Sequence, residues 1–359
     1  MALTNVITIL KPQPAGYTRI VLDEVRNKIK ASGAVLREAR GRRDLIRETA
    51  EHFPGTVRSF TSGSIAHGTV NHPVADADGG AVLDGRWYPA LGLDRGGVGP
   101  AEIVEQMRRF VREAVVSEYP DAMCYVTKRA IKVVFNDPIE GQDPSADLVV
   151  ALDRRDLPGL WIPNTEADRW DPSDPERHTQ LAHDANADTL RAWARIVRLG
   201  KANNGAYPNP ALCSFNIEAF ALESVQRGDI ALNLLHFFEY AAEDLSRRST
   251  PDPAGVSAPI KLQVDRSVAV GRMVKAGEAL ARALAHDSDE GIVREALAEV
   301  FPQQLALPDV SPYLTRLENE LNHGSRDIRA GSVIGVLPSA IGHAVKPTRS
   351  HGGHSDGSA

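Results

Sequence analysis

Two aspartates one residue apart, Asp76 and Asp78, and a third, Asp147, heading the apolar run Asp-Leu-Val-Val-Ala151, carry the most legible chemistry in this chain. Carboxylates are hard oxygen donors suited to divalent cations. Two such ions about 4 Å apart can polarise an attacking hydroxyl, steady a five-coordinate phosphorus and neutralise a pyrophosphate leaving group. Residues at i and i+2 of a strand point to one face, so Asp76 and Asp78 can grip metal together. Asp147 would complete the set from a neighbouring strand. Upstream, Gly63-Ser64 lies where a strand turns into a helix, a place that offers backbone N–H groups and a hydroxyl to phosphate oxygens. A lone Asp-x-Asp is common and is usually a solvated turn. The joint order of strand, Gly-Ser, helix start, Asp-x-Asp and distal strand Asp is far more specific.

The elements that must hold these residues follow from periodicity. Tyr17 to about His52 has apolar residues at helical spacing, with Gly33 dividing the stretch and Pro54-Gly55 stopping it. Residues 56–60 read as a strand, followed by the small-residue turn Thr61-Ser-Gly-Ser64. Ala81-Val-Leu83 is a second strand candidate, and Gly79-Gly80 before it predicts a loosened strand. Pro100 opens a helix to about Glu118; residues 123–135 and 146–151 are β-rich. Beyond Trp161 the chain turns helical: residues 177–203 as one long amphipathic helix, then 213–227, 231–245, 264–285, 290–300 and 311–321. The expected division is an N-terminal helical segment (1–55), a core (56–165), a helical lobe (166–340) and a disordered tail (341–359) poor in hydrophobes.

Bulk properties narrow the partners. The 359 residues are 42% hydrophobic and 25% charged, with a formal net charge of -6, which gives no reason to expect long nucleic acid as a track. Cys124 and Cys213 are far apart and lack a CxxC spacing, so they are expected as reduced, buried thiols. No apolar stretch is long enough to cross a bilayer and no leader pattern opens the chain, so no membrane is expected and the cytoplasm is the default. His72, His178 and His183 read as surface residues, and Trp161, Trp170 and Trp193 as packing residues.

Gly63-Ser64, a spacer, Asp76-Ala-Asp78 and Asp147 together resemble the signature of the polymerase-β-like nucleotidyltransferase superfamily. Within it, the chain looks most like the bacterial CD-NTases, the cyclic-oligonucleotide synthases related to cyclic GMP-AMP synthase. The long N-terminal helical stretch, the string Gly63-Ser-Ile-Ala-His-Gly-Thr69, and Lys201 followed by Ser214-Phe215 carry that likeness. The resemblance implies an α+β fold: a nucleotidyltransferase core with a mixed β-sheet, a mostly helical second lobe and a long N-terminal helix. It implies that Asp76, Asp78 and Asp147 are catalytic and hold two Mg²⁺ ions, with Mn²⁺ as a substitute. Gly63, Ser64, Lys201, Ser214 and Phe215 would bind a nucleoside triphosphate, with Lys201 on phosphate and Phe215 stacked on the base. It further implies a diffusible product read by a downstream effector protein, typically in anti-phage signalling.

Plain structural roles compete for the last three. Phe215 could be core, Lys201 could serve a helix end, and Ser214 could be a helix N-cap. The sequence departs from the family's pattern at His67, where Arg is common, and at Ala75, where Ser is common. Acceptors other than a nucleotide also fit: an RNA 3′ end, an antibiotic hydroxyl or a protein side chain. A degenerate nucleotide-binding module is the alternative without catalysis.

Overall fold

The computed structural model describes residues 16–305. The expected irregular start, the helix at 311–321 and the tail at 341–359 lie outside the described residues. Helix α1 (Tyr17–Lys28) buries Val21, Leu22 and Val25, one helical face, while α2 (Gly33–Glu51) starts where the Ser32 hydroxyl accepts from the Ala34 N–H at 3.2 Å. The two helices go separate ways: α1 packs in the helical half, and α2 lies across the sheet.

Strand β1 (Thr56–Ser62) runs straight into the short helix α3 (Gly63–His67). β2 (Asp76–Leu83), α4 (Ala101–Glu118), β3 (Met123–Val126), β4 (Ile131–Val134) and β5 (Ser145–Asp153) follow, then β6 (Leu160–Asn164) and β7 (Arg169–Ser173). The sheet order is β1-β2-β5-β4-β3, with β6 beside β5 and β7 beside β6. β2 and β5 are parallel and the other pairs antiparallel, so the sheet is mixed as expected.

Alternation sorts the two faces. Ala81 and Leu83 of β2, Ile131 and Val133 of β4, and Ala146, Leu148, Val150 and Leu152 of β5 form one apolar layer with Met107 and Val111 of α4 and Ile46 of α2. Phe60, Val82, Val149 and Ala151 line the opposite face, on which the even-numbered aspartates of β2 and Asp147 also stand. The expected loosening of β2 does not occur at the glycines: the strand is continuous from Asp76 to Leu83, paired with β5 throughout and with β1 from Asp78 onward. Gly80 is small for a local reason, because a Cβ there would lie 2.2 Å from Cζ of the Phe60 ring.

The helical half comprises α5 (Pro175–Asp188), α6 (Ala192–Gly205), α7 (Ser214–Ser224), α8 (Ile230–Arg247), α9 (Arg266–Ala285), α10 (Glu290–Val300) and α11 (Pro302–Leu305). The single helix expected over 177–203 is two, because Leu190 and Arg191 take left-handed backbone angles, φ 52° and 65°. Trp193, Phe220, Phe237, Phe238 and Phe301 are buried in a core that also takes in Val21 and Val25 of α1. Trp161 and Trp170 are packed under the sheet, as expected of packing residues. Both cysteines are free thiols, Cys213 buried and Cys124 half-buried. Among the described residues no helix is long and apolar enough to cross a membrane.

Candidate active site

Register brings the three aspartates together. Asp78 of β2 is the direct neighbour of Asp147 of β5, Ser62 of β1 lies across from Asp78, and Asp76 pairs with Ser145. Directly opposed residues share a face of the sheet, so Asp76, Asp78 and Asp147 line one surface. Asp78 is buried, and Asp76 and Asp147 are half-buried. Burial pushes the Asp147 carboxyl up to about 6; Lys132 opposes that shift, and the charge of Asp76 adds to it. Asp147 Oδ1 has no hydrogen-bond donor, and Lys132 Nζ stands 3.8 Å away.

Gly63 is fixed by this row rather than by helix geometry alone. Its φ is +72°, and a Cβ there would lie 1.8 Å from Asp78 Oδ2. The backbone at the start of α3 therefore rests against the Asp78 carboxylate. Ser64, half-buried in the first turn of α3, has its carbonyl accept from the Thr69 N–H at 2.8 Å.

Hard carboxylate oxygens are the donor set a divalent cation takes. Their mutual electrostatic penalty at Asp147 is what such an ion would relieve. Among the described residues no group of three His, Cys, Asp or Glu converges on one point as a preformed cage would. What the site does supply is the chemistry of the donor set: three carboxylates on one face of adjacent strands, about 4.8 Å apart, with Asp147 Oδ1 buried and lacking a donor. The residues fit the group.

Lys201, Ser214 and Phe215 belong to a second cluster, on the helical side. Lys201 Nζ donates to Thr69 Oγ1 at 3.1 Å and pairs with Glu218 Oε1 at 3.2 Å. Glu218 also accepts from Thr69 Oγ1 at 2.8 Å and meets His67 Nδ1 at 2.9 Å, while His67 Nε2 meets Thr179 Oγ1 at 3.1 Å. Burial pushes the Glu218 carboxyl up, but His67, Lys201 and Thr69 overcome it and hold it well below the usual range. Ser214 opens α7 one turn before Glu218; the N-cap is Cys213, so the capping role weighed for Ser214 falls to its neighbour. Phe215 packs on Cys213, Ala219 and Ile260 and lies 4.6 Å from the His178 ring.

Several of these residues escaped the sequence. His178 is no surface residue: its Nε2 meets buried Asp252 Oδ1 at 2.6 Å. His72 and His183 are exposed, as expected. Glu218 had a legible sign, a lone carboxylate inside the apolar run Phe-Asn-Ile-Glu-Ala-Phe220. Lys132 had none, because only register sets it beside Asp147.

No protein-family model matches the sequence, and no curated protein matches it. Solved structures do. CdnC of E. coli MS115-1 with ATP is 16% identical at a TM-score of 0.61, over 82% of this chain and 99% of that one. The CD-NTase CdnG of Bradyrhizobium diazoefficiens in complex with GTP is 14% identical at 0.61, over 82% and 97%. The cyclic AMP-GMP synthase DncV of Vibrio cholerae, a prokaryotic cGAS homolog, is 12% identical at 0.59, over 81% and 96%. The chain has the α+β fold of these bacterial CD-NTases along nearly their whole length.

Proposed function

We propose that this chain is a nucleotidyltransferase, dependent on Mg²⁺, that joins nucleoside triphosphates into a cyclic di- or oligonucleotide. The observation that carries the reading is the row Asp76, Asp78 and Asp147 on one sheet face, with Gly63 closed against Asp78. The fold shared with a cyclic AMP-GMP synthase supports the choice of product class. Bound divalent ions would supply charge neutralisation at the phosphates and acidify the attacking hydroxyl.

Asp76 and Asp78 hold the donor side, and the turn at Gly63-Ser64 offers backbone N–H groups and a hydroxyl to the donor's phosphates. Lys201 and Ser214 reach the same triphosphate from the helical half, with Phe215 beside the base. Asp147 faces the attacking ribose hydroxyl and favours loss of its proton. The oxygen–phosphorus bond forms at the α-phosphate as the α–β bridging bond breaks, and pyrophosphate leaves. A product of this kind would act through an effector protein, in the manner of anti-phage signalling.

Purified protein incubated with labelled nucleoside triphosphates and Mg²⁺ alone, with products read by mass spectrometry, tests the proposal. A cyclic oligonucleotide and pyrophosphate are expected, and both should vanish in Asp76→Ala/Asp78→Ala. Transfer seen only after adding an RNA, an aminoglycoside or a protein acceptor would overturn the synthase assignment.

A further inference from the structure

One carboxylate of the second cluster serves two cations. Glu218 Oε1 takes Lys201 Nζ and the Thr69 hydroxyl, and Oε2 takes His67 Nδ1. The His67, Glu218 and Lys201 side chains are only 7, 10 and 12% exposed, so water does little to screen them. Glu218 is held ionised and can only accept, so His67 Nδ1 carries a hydrogen. At the other ring nitrogen, Thr179 spends its one hydroxyl hydrogen on the Thr61 carbonyl at 3.2 Å, so its oxygen accepts from His67 Nε2. Both ring nitrogens donate, which only the imidazolium does. The cluster therefore sets two positive charges against one negative. It lies beside the turn assigned to the donor's phosphates: Thr69, which Lys201 touches at 3.1 Å, bonds through its N–H to the Ser64 carbonyl at 2.8 Å. Lys201 can reach a phosphate only by leaving Glu218, and a buried carboxylate stripped of its counter-charge is strongly unfavourable. With the ring charged, Glu218 keeps a cation after Lys201 departs.

We propose that His67 is a positioning residue for the donor triphosphate: its imidazolium neutralises Glu218, so that the Lys201 ammonium can pass from that carboxylate to the phosphates. This rests on the reading of Lys201 as a phosphate ligand. It adds what that reading lacks, an affinity for nucleotide that depends on a proton held at His67. Among the described residues, no other group on the elements packed against α3 can stand in for the ring. His183 of α5 meets the Ala66 carbonyl, His178 of α5 is engaged by Asp252, β1 offers Thr61, and Asp78 of β2 meets α3 at its far end, Gly63. As pH rises and the ring loses its proton, Lys201 becomes the sole cation of Glu218 and is withheld from the nucleotide.

The test measures binding, not turnover. Equilibrium dialysis with Mg²⁺ and a non-reactive α,β-methylene triphosphate compares the full chain with His67→Gln and His67→Arg. It is run at about pH 6 and about pH 9, either side of the ordinary histidine range. At the lower pH, wild type should bind about 10- to 100-fold more tightly than His67→Gln, and at the higher pH the ratio should fall towards one. His67→Arg, charged throughout, should match wild type at the lower pH and exceed it at the higher. Ratios between proteins at one pH cancel the titrations of the nucleotide and of the aspartates, and thermal melts check that each protein is folded. A histidine that only packs predicts a His67→Gln deficit unchanged by pH, and that result overturns the assignment. So does equal binding by wild type and His67→Gln at both pH values. Should His67→Gln not fold, His67→Arg decides alone: a constant ratio to wild type overturns the assignment. A chain that binds with this dependence and yet forms no product supports it and sinks only the synthase reading.

Discussion

At Gly63 one hydrogen atom decides whether the site can exist. A methyl group there must occupy space already held by the Asp78 carboxylate, on a backbone at φ +72° that side-chain-bearing residues resist. Gly63→Ala is expected to lower nucleotidyl transfer at least about 100-fold, as displaced catalytic groups do, and to lower the melting temperature. Paired activity assays and thermal melts check this. Asp147 makes the opposite kind of prediction. Its folded-state pKa of about 6 exceeds the ordinary 3.8, so the folded chain binds the proton more tightly than the unfolded one. The contribution of Asp147 to stability is then greatest below pH 4 and falls as pH rises through 6, by about 3 kcal/mol in all. Asp147→Asn should abolish transfer and yet melt higher than wild type in chelator above pH 6, with the gap closing towards pH 4. Mg²⁺ should raise the melting temperature of wild type and not of the variant. The aspartates were legible because Gly63-Ser64, Asp76-Ala-Asp78 and the strand-borne Asp147 occur in a joint order that chance seldom produces. Lys132 was not, since its partner is set by strand register rather than by anything local.

Among the elements, α3 does more than its five residues suggest. Its start touches Asp78, and its end delivers His67 to Glu218 of α7 and Thr179 of α5. The network ties the strand-borne carboxylates to the helix that begins at Ser214. Glu218→Gln would leave the Lys201 charge buried without its counter-ion, at a cost of about 3 kcal/mol. Because the Glu218 carboxyl is held below its ordinary value, that deficit should be full above about pH 4.5. It should close only in strongly acidic solution, where wild type too is protonated. Melting curves of both proteins from pH 3 to 8 would show it, and a constant gap would contradict it. The helices themselves were readable from apolar spacing, save for the break at Leu190–Arg191. That break arises from left-handed backbone at two residues whose types do not announce it. The Gly79-Gly80 pair misled for a related reason: Phe60, on the adjacent strand, is what requires a small residue.

Across the whole molecule, the sheet and the helical half each keep their own apolar core. Composition and the switch from period two to period 3.6 foretold that contrast, but not that α1 joins the helical core while α2 backs the sheet. The two halves are joined by polar contacts. Arg58 of β1 binds Glu176 of α5 through both carboxylate oxygens at 2.9 and 2.7 Å, and Asn71 bonds the Arg198 carbonyl of α6 at 2.8 Å. The parallel pairing of β2 with β5 has a consequence in time. Asp78 and Asp147 are neighbours in the sheet although α4 and the β3–β4 hairpin separate them along the chain. Contacts so remote along the chain must meet their loop-closure entropy before they return any stability. After dilution from urea, the far-ultraviolet signal of the helices should therefore return first, with Mg²⁺ binding regained in a later, slower phase. On refolding, the carboxylate row is thus expected to regain its hold on metal only after the helices that surround it have formed.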